Sequence, residues 1–208
     1  LKLSKKAVDE YLRYSFVPTP LSIYEGIYKL TPGVIRTFTY PYTEYTDEVY
    51  YDLREEYIRG QNNLFKGSYE EAVDELDLVL KAAVKSELMS DVPLGAFLSG
   101  GIDSATIVSL MQSISDTPVK TFTIGFEEKA YDESEYAADI ARHLGTDHTS
   151  LIINERKLEN VIPLLPSIYS EPFADSSEIP TYLVSKLARS KVTVSLSGDA
   201  GDELFAGY

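Results

Sequence analysis

The chain has 208 residues, 44% of them apolar and 25% charged, which is enough for one ordinary globular domain with a real core and argues against disorder. A formal net charge of −14 excludes the basic footprint of a nucleic-acid or anionic-membrane surface, and the lack of cysteine excludes disulfides, thiolate zinc sites and cysteine nucleophiles within the chain. No apolar run approaches the length of a membrane span and the start carries no signal-peptide core, so a cytoplasmic setting is expected.

Residues 1–69 read as an N-terminal connector or extension. Ser4 caps a short helix bearing Ala7, Val8, Tyr11 and Leu12, and prolines and Gly33 then punctuate strand-like pieces at Ser22–Lys29 and Val34–Tyr40. From residue 70 to 208 helical and strand patterns alternate. Val73, Leu76, Leu80, Ala83, Val84 and Leu88 follow helical spacing, and Leu94–Leu98 is a short apolar strand. A helix through Ala105, Val108 and Met111, a strand over Thr121–Phe126 and a helix over Ser134–Leu144 stopped by Gly145 come next. A strand at Thr149–Ile153, helices at Leu158–Tyr169 and Tyr182–Ala188, and a strand at Val192–Leu196 complete the pattern. Strands separated by helices predict an α/β fold: a parallel sheet with helices on both faces.

In such sheets ligands bind beyond the carboxyl ends of the strands, and two short loops fall at that edge. The first is Ser99-Gly-Gly-Ile-Asp-Ser104. Gly100 and Gly101 let backbone approach phosphate oxygens, the following helix start suits an anion, and Ser99 and Ser104 add hydroxyl donors. Asp103 would oppose a phosphate directly, so a divalent cation between them is the natural arrangement. No Walker Gly-Lys-Ser/Thr is present, which argues against ordinary γ-phosphoryl transfer. The second loop, Ser197-Gly-Asp-Ala-Gly-Asp-Glu203, also follows a strand and sets Asp199, Asp202 and Glu203 at the same edge. Each loop alone could be a bland turn; together they predict metal and substrate chemistry.

These residues resemble a known family. Leu98 to Ser104 is similar to the pyrophosphate loop of the N-type ATP pyrophosphatases, which have the adenine nucleotide α-hydrolase-like fold. Phe122-Thr-Ile-Gly-Phe126, Tyr131-Asp-Glu-Ser-Glu135, Leu144-Gly-Thr-Asp-His148, Glu171-Pro-Phe-Ala-Asp-Ser-Ser177 and Ser197 through Tyr208 follow in the order of the glutamine-hydrolysing asparagine synthetases. Phe16-Val-Pro-Thr-Pro20 and Gly26 to Gly33 resemble the stretch after that family's glutaminase domain. The resemblance implies a ligase of asparagine biosynthesis that activates aspartate with MgATP as β-aspartyl-AMP, releases pyrophosphate, and lets ammonia displace AMP. It places Ser99, Gly100, Gly101 and Ser104 on the pyrophosphate, Leu98 and Ile124 on the adenosine, Ser197 and Gly198 on the nucleotide, and Asp103 with Asp202 on magnesium. Asp199 stands where many relatives carry glutamate, at a position tied to adenylate formation, and Ala200 where glycine is common. It further implies an N-terminal glutaminase partner in the parent protein and further C-terminal helices bearing a catalytic lysine. A homodimer is compatible with it.

Blander readings apply elsewhere. His143 and His148 read as structural or exposed, and the acidic run Glu127, Glu128, Asp132, Glu133 and Glu135 as a solvated loop with charge at a helix N-terminus. Asp175, Ser176 and Ser177 suit a substrate-side loop or a helix cap equally, and the tyrosines between Tyr40 and Tyr57 suit edge packing. Two other functions fit the same loops: an amidotransferase or β-lactam-synthetase-like enzyme with another carboxylate substrate, or a non-catalytic nucleotide-binding module.

Overall fold

The computed structural model describes residues 1–129, 132–205 and 207; Tyr131 and Tyr208, which belong to two of the motifs above, lie outside the described residues. The chain forms two compact units. One comprises residues 1–67 together with 164–175, the other residues 68–163 together with 176–208.

In the first unit helix α1 (Lys5–Tyr14) is capped by the Ser4 hydroxyl on the Ala7 amide and closed by Ser15 in the left-handed conformation. Its buried Ala7 packs with Val17 and Ile23. The Ser22–Lys29 stretch does not form a strand. It makes only isolated bridges, Leu3 to Tyr24 and Leu21 to Tyr28, because Gly26 turns the chain at φ +76° and the Ser22 hydroxyl bonds its own segment at Tyr24 and Ile27. Strand β1 (Val34–Thr39) forms as expected and pairs antiparallel with β2 (Glu44–Val49). The sequence hides β2, whose residues are exposed on both faces and so carry no apolar alternation. Helix α2 (Leu53–Asn62), capped by Asp52, lies in the tyrosine-dense stretch for the same reason and buries nothing. The 164–175 segment is held within this unit by Ala174 N–H to Ser15 O at 2.6 Å, by Ile23 N–H to Glu171 Oε2 at 3.2 Å, and by a Lys29–Glu171 ion pair.

The second unit is the predicted α/β body. Helix α3 (Tyr69–Glu87) starts on a capping box between Ser68 and Glu71, but only Leu80, Val84 and Leu88 of its apolar stripe reach the core. Strand β3 (Leu94–Phe97), helix α4 (Ile102–Ser113), strand β4 (Lys120–Phe126), helix α5 (Ser134–Leu144) and strand β5 (Asp147–Ile153) follow in turn. The expected single helix over Leu158–Tyr169 is instead three short pieces: α6 (Glu155–Glu159), a 3-10 turn at Ile162–Leu164 and α7 (Leu165–Ile168), the last of which belongs to the first unit. Pro163 and Pro166 remove the amide donors that a continuous helix needs. Helix α8 (Glu178–Arg189), strand β6 (Val194–Leu196) and helix α9 (Gly201–Phe205) complete the unit.

The sheet runs β5-β4-β3-β6 with every pairing parallel. Ala96 and Leu98 point to one face, where they pack with Val84 of α3, Val108 and Met111 of α4, and Ala137 and Ala141 of α5. Phe97 and Phe122 point to the other, against Val184, Leu187 and Ala188 of α8. Helices therefore cover both faces, as a buried parallel sheet requires. The chain lays β4 and β5 on one side of β3 and then places β6 on the other, so the order reverses between β3 and β6.

Candidate functional site at the sheet switch point

Loops leaving neighbouring strands in opposite directions open a crevice at their carboxyl ends, and the loops after β3 and β6 are the two singled out above. Four residues of the first loop, Ser99, Gly101, Asp103 and Ser104, and residues 197–203 line a common cleft of about 490 Å³. The structure brings Ser99, Gly101, Asp103, Ser104, Ser197, Gly198, Asp199 and Asp202 together in its walls. Leu98 and Ile124 line an adjoining hollow of about 260 Å³, which shares Phe97 and Ser99 with the first. Gly100 is not in the wall of either hollow; a Cβ there would meet the side chains of Tyr136 and Glu133 at the start of α5, which leaves only its backbone to offer a ligand.

Helix α4 begins at Ile102, inside the glycine loop, so Asp103 and Ser104 occupy its first turn, where the positive end of the helix dipole acts. The loop is tied internally. Ser104 Oγ accepts the Ser99 amide at 3.0 Å and lies 2.8 Å from Ser99 Oγ, while Gly101 N–H donates to Ser99 Oγ at 3.2 Å. The buried Thr123 hydroxyl donates to the Leu98 carbonyl, fixing the peptide from which the loop departs.

The second loop presses flat against this turn. A Cβ at Gly198 would stand 2.6 Å from the Ser104 backbone nitrogen, and one at Gly201 would stand 2.5 Å from Asp103 Cγ. At Gly198 the neighbour is backbone and only glycine fits; at Gly201 it is the end of the Asp103 side chain, which a Cβ would push aside. Helix α9 opens at Gly201, so Asp202 and Glu203 project from its first turn rather than from a loop, and Gly207 leaves room for the Asp202 carboxylate. Ala200 takes the left-handed conformation at φ +74°, and the Ser197 hydroxyl donates to Asp199 Oδ2 at 2.9 Å. Gly201, Gly207 and Phe97 were not singled out by sequence reasoning. The small residues in Asp-Ala-Gly-Asp were the only signal for Gly201, and their purpose depends on a neighbour about a hundred positions away.

Other titratable groups sort away from the cleft. His148 is half-buried, its Nδ1 2.9 Å from Thr121 Oγ1, and burial pushes its pKa down, which fits a structural role. His143 is exposed. Asp132 is not simply solvated: its Oδ1 accepts the amides of Phe126 and Ser134, and the Ser134 hydroxyl and amide hold its carboxyl below the usual carboxylate range.

Fold and cleft together define a parallel α/β protein with a glycine-bounded, carboxylate-bearing crevice at its topological switch point. Comparison with known proteins carries this further. Residues 75–208 match the family model for asparagine synthase. A Methanocaldococcus jannaschii protein, described as a candidate glutamine-hydrolyzing asparagine synthetase, is 40% identical over 209 residues, covering 99% of this chain and 39% of its own length. The Bacillus subtilis glutamine-hydrolyzing asparagine synthetase 1 is 33% identical across 100% of this chain and 32% of that protein. The human enzyme of the same name is 32% identical over 70% of the chain and 27% of its length. An NMN synthetase from Francisella tularensis overlaps 69% of the chain and 59% of its own with a TM-score of 0.45 at 18% identity, too slight a likeness to add to the assignment. The chain belongs to the asparagine synthase family, and spans less than two fifths of these relatives' length.

Proposed function

We propose that this chain carries the ATP-pyrophosphatase part of an asparagine synthetase, which activates aspartate on ATP and passes it to ammonia. The observation that carries the reading is the seating of Gly198 and Gly201 against Asp103 and Ser104, which sets two loops around one cleft at the switch point. Ser99, Gly100, Gly101 and Ser104 would hold the β- and γ-phosphates, with Ser197 and Gly198 against the nucleotide. Leu98 and Ile124 would bound the adenosine in the adjoining hollow. A side-chain carboxylate oxygen of aspartate then attacks the α-phosphorus, and the bond from that phosphorus to the bridging oxygen breaks. Pyrophosphate leaves, and ammonia displaces AMP from the acyl-adenylate to give the amide. No protein nucleophile is required. Asp199, in the wall of the same cleft, would act at the reacting centre in forming the adenylate.

Magnesium suits the donor set. Asp103 and Asp202 offer hard carboxylate oxygens, and among the described residues no three His, Cys, Asp or Glu side chains form a cage for a cation without added ligands. Two carboxylates completed by substrate phosphates are the usual arrangement for this ion. When bound, it would neutralise the phosphate charge. Aspartate labelled with oxygen-18 in its side-chain carboxylate tests the reading in the protein supplied with ammonia and MgATP. Label in AMP, with pyrophosphate as coproduct, is expected; ADP and labelled inorganic phosphate would overturn it. Ammonia would come from a glutaminase part, which the names of the longer relatives support.

A further inference from the structure

Strand β4 ends at Phe126 and α5 starts at Ser134, and the sequence between them is rich in acidic residues. A carboxylate ahead of a helix ordinarily does no more than accept an amide of the first turn. Asp132 does more. The same Oδ1 takes the Ser134 amide at 3.1 Å and the Phe126 amide at 3.2 Å, so one oxygen ties the end of the strand to the start of the helix. The space for this is made by Gly125, where a Cβ would stand 2.6 Å from Asp132 Oδ1 and 2.6 Å from Ser134 Oγ. Two residues on or beside the tied amides, Phe126 and Glu133, line the hollow that also holds Leu98 and Ile124.

We propose that Asp132 is a positioning residue for the nucleotide: by tying the end of β4 to the start of α5 it fixes a wall of the adenosine side of the site. This rests on the ATP-dependent reading above. Neither Phe126 nor Glu133 lines the cleft around Asp103 and Asp202, so the clasp acts on the adenosine end and leaves the pyrophosphate end to the glycine loop. An ionised carboxylate is the suitable group, because it accepts both amides and donates to neither.

The test compares Asp132→Ala and Asp132→Asn with the wild-type protein, using AMP and inorganic pyrophosphate as separate calorimetric probes. Loss of two charge-assisted bonds in the Ala variant should weaken AMP binding about tenfold, with pyrophosphate affinity changed less than about twofold. The Asn variant keeps an acceptor oxygen for both amides and should return AMP affinity to within about threefold of wild type. Unchanged AMP binding in Asp132→Ala, a parallel loss of pyrophosphate, or an Asn variant no better than Ala would each overturn the proposal. Hydrogen exchange at the Phe126 and Ser134 amides separates the clasp from the nucleotide: both should exchange faster in the Ala variant and keep their protection in the Asn variant. A wild-type protein that fails to bind AMP would overturn the functional reading and the adenosine wall with it. Unaltered amide exchange in the Ala variant would overturn the clasp itself.

Discussion

Gly201 shows how tightly individual residues constrain this site. A Cβ there would stand 2.5 Å from Asp103 Cγ, so Gly201→Ala must move either the carboxylate or the first turn of α9. Moving the end of a side chain costs little in stability, but here the displaced group is the carboxylate proposed to hold the cation. Calorimetry should show weaker magnesium-dependent ATP binding in Gly201→Ala than in wild type; equal affinity would mean that Asp103 does not hold the metal. His148 leads to a prediction about pH. Its folded pKa lies below the ordinary histidine value because burial disfavours the charged form. The unfolded chain therefore binds the proton more readily, and this contribution to stability is present above about pH 6.5 and lost as pH falls through the depressed folded value. Melting temperatures followed from pH 7.5 to 5 should fall less steeply in His148→Gln than in wild type. The glycine loop was legible in the sequence because its serines, glycines and aspartate are contiguous and follow an apolar strand. The fit of Gly201 to Asp103 was not, since it is a property of two loops that meet only in the folded sheet. Asp132 was legible only as charge at a helix start, where it accepts the Ser134 amide; the Phe126 amide on the same oxygen was not, because only the fold brings that strand end to it.

Among the elements, β4 is the strand on which the body depends. Phe122 is fully buried between the sheet and α8, so Phe122→Ala should cost about 3–5 kcal/mol, a large share of the stability of a typical domain. Urea unfolding measures this directly. Removing a helix cap should cost less: Ser68→Ala takes away the acceptor of the α3 capping box and should lower stability by about 1 kcal/mol, read as a lower melting temperature with the same fold. Elements with a buried side, such as β3, β4 and α5, announced themselves by period. Strand β2 and helix α2 did not, because no residue of either is buried and periodicity records burial rather than hydrogen bonding. The stretch from Leu158 failed differently: its apolar residues suit a helix, and two prolines override them.

At the level of the whole molecule, charge matters before any contact forms. A chain with a formal net charge of −14 repels an incoming nucleotide anion at long range. Stopped-flow association of ATP at fixed free magnesium should therefore quicken as ionic strength rises, because salt screens the distant carboxylates more than the ion pairs at close range. A rate that falls with salt would point to a positive local field at the cleft strong enough to outweigh the remainder of the surface.

The 164–175 segment has a further consequence. Residues 1–67 are completed by a stretch that lies far along the chain, and Ser15, Ile23 and Lys29 bond to it there. The polypeptide thus passes between the two units three times, after residues 67, 163 and 175. Neither unit is a consecutive cassette, so no single crossover between related genes could exchange one whole and leave the other intact. A hybrid joined at residue 68 would set a foreign Glu171 equivalent against the native Lys29, and would survive only where that stitch had been kept in both parents.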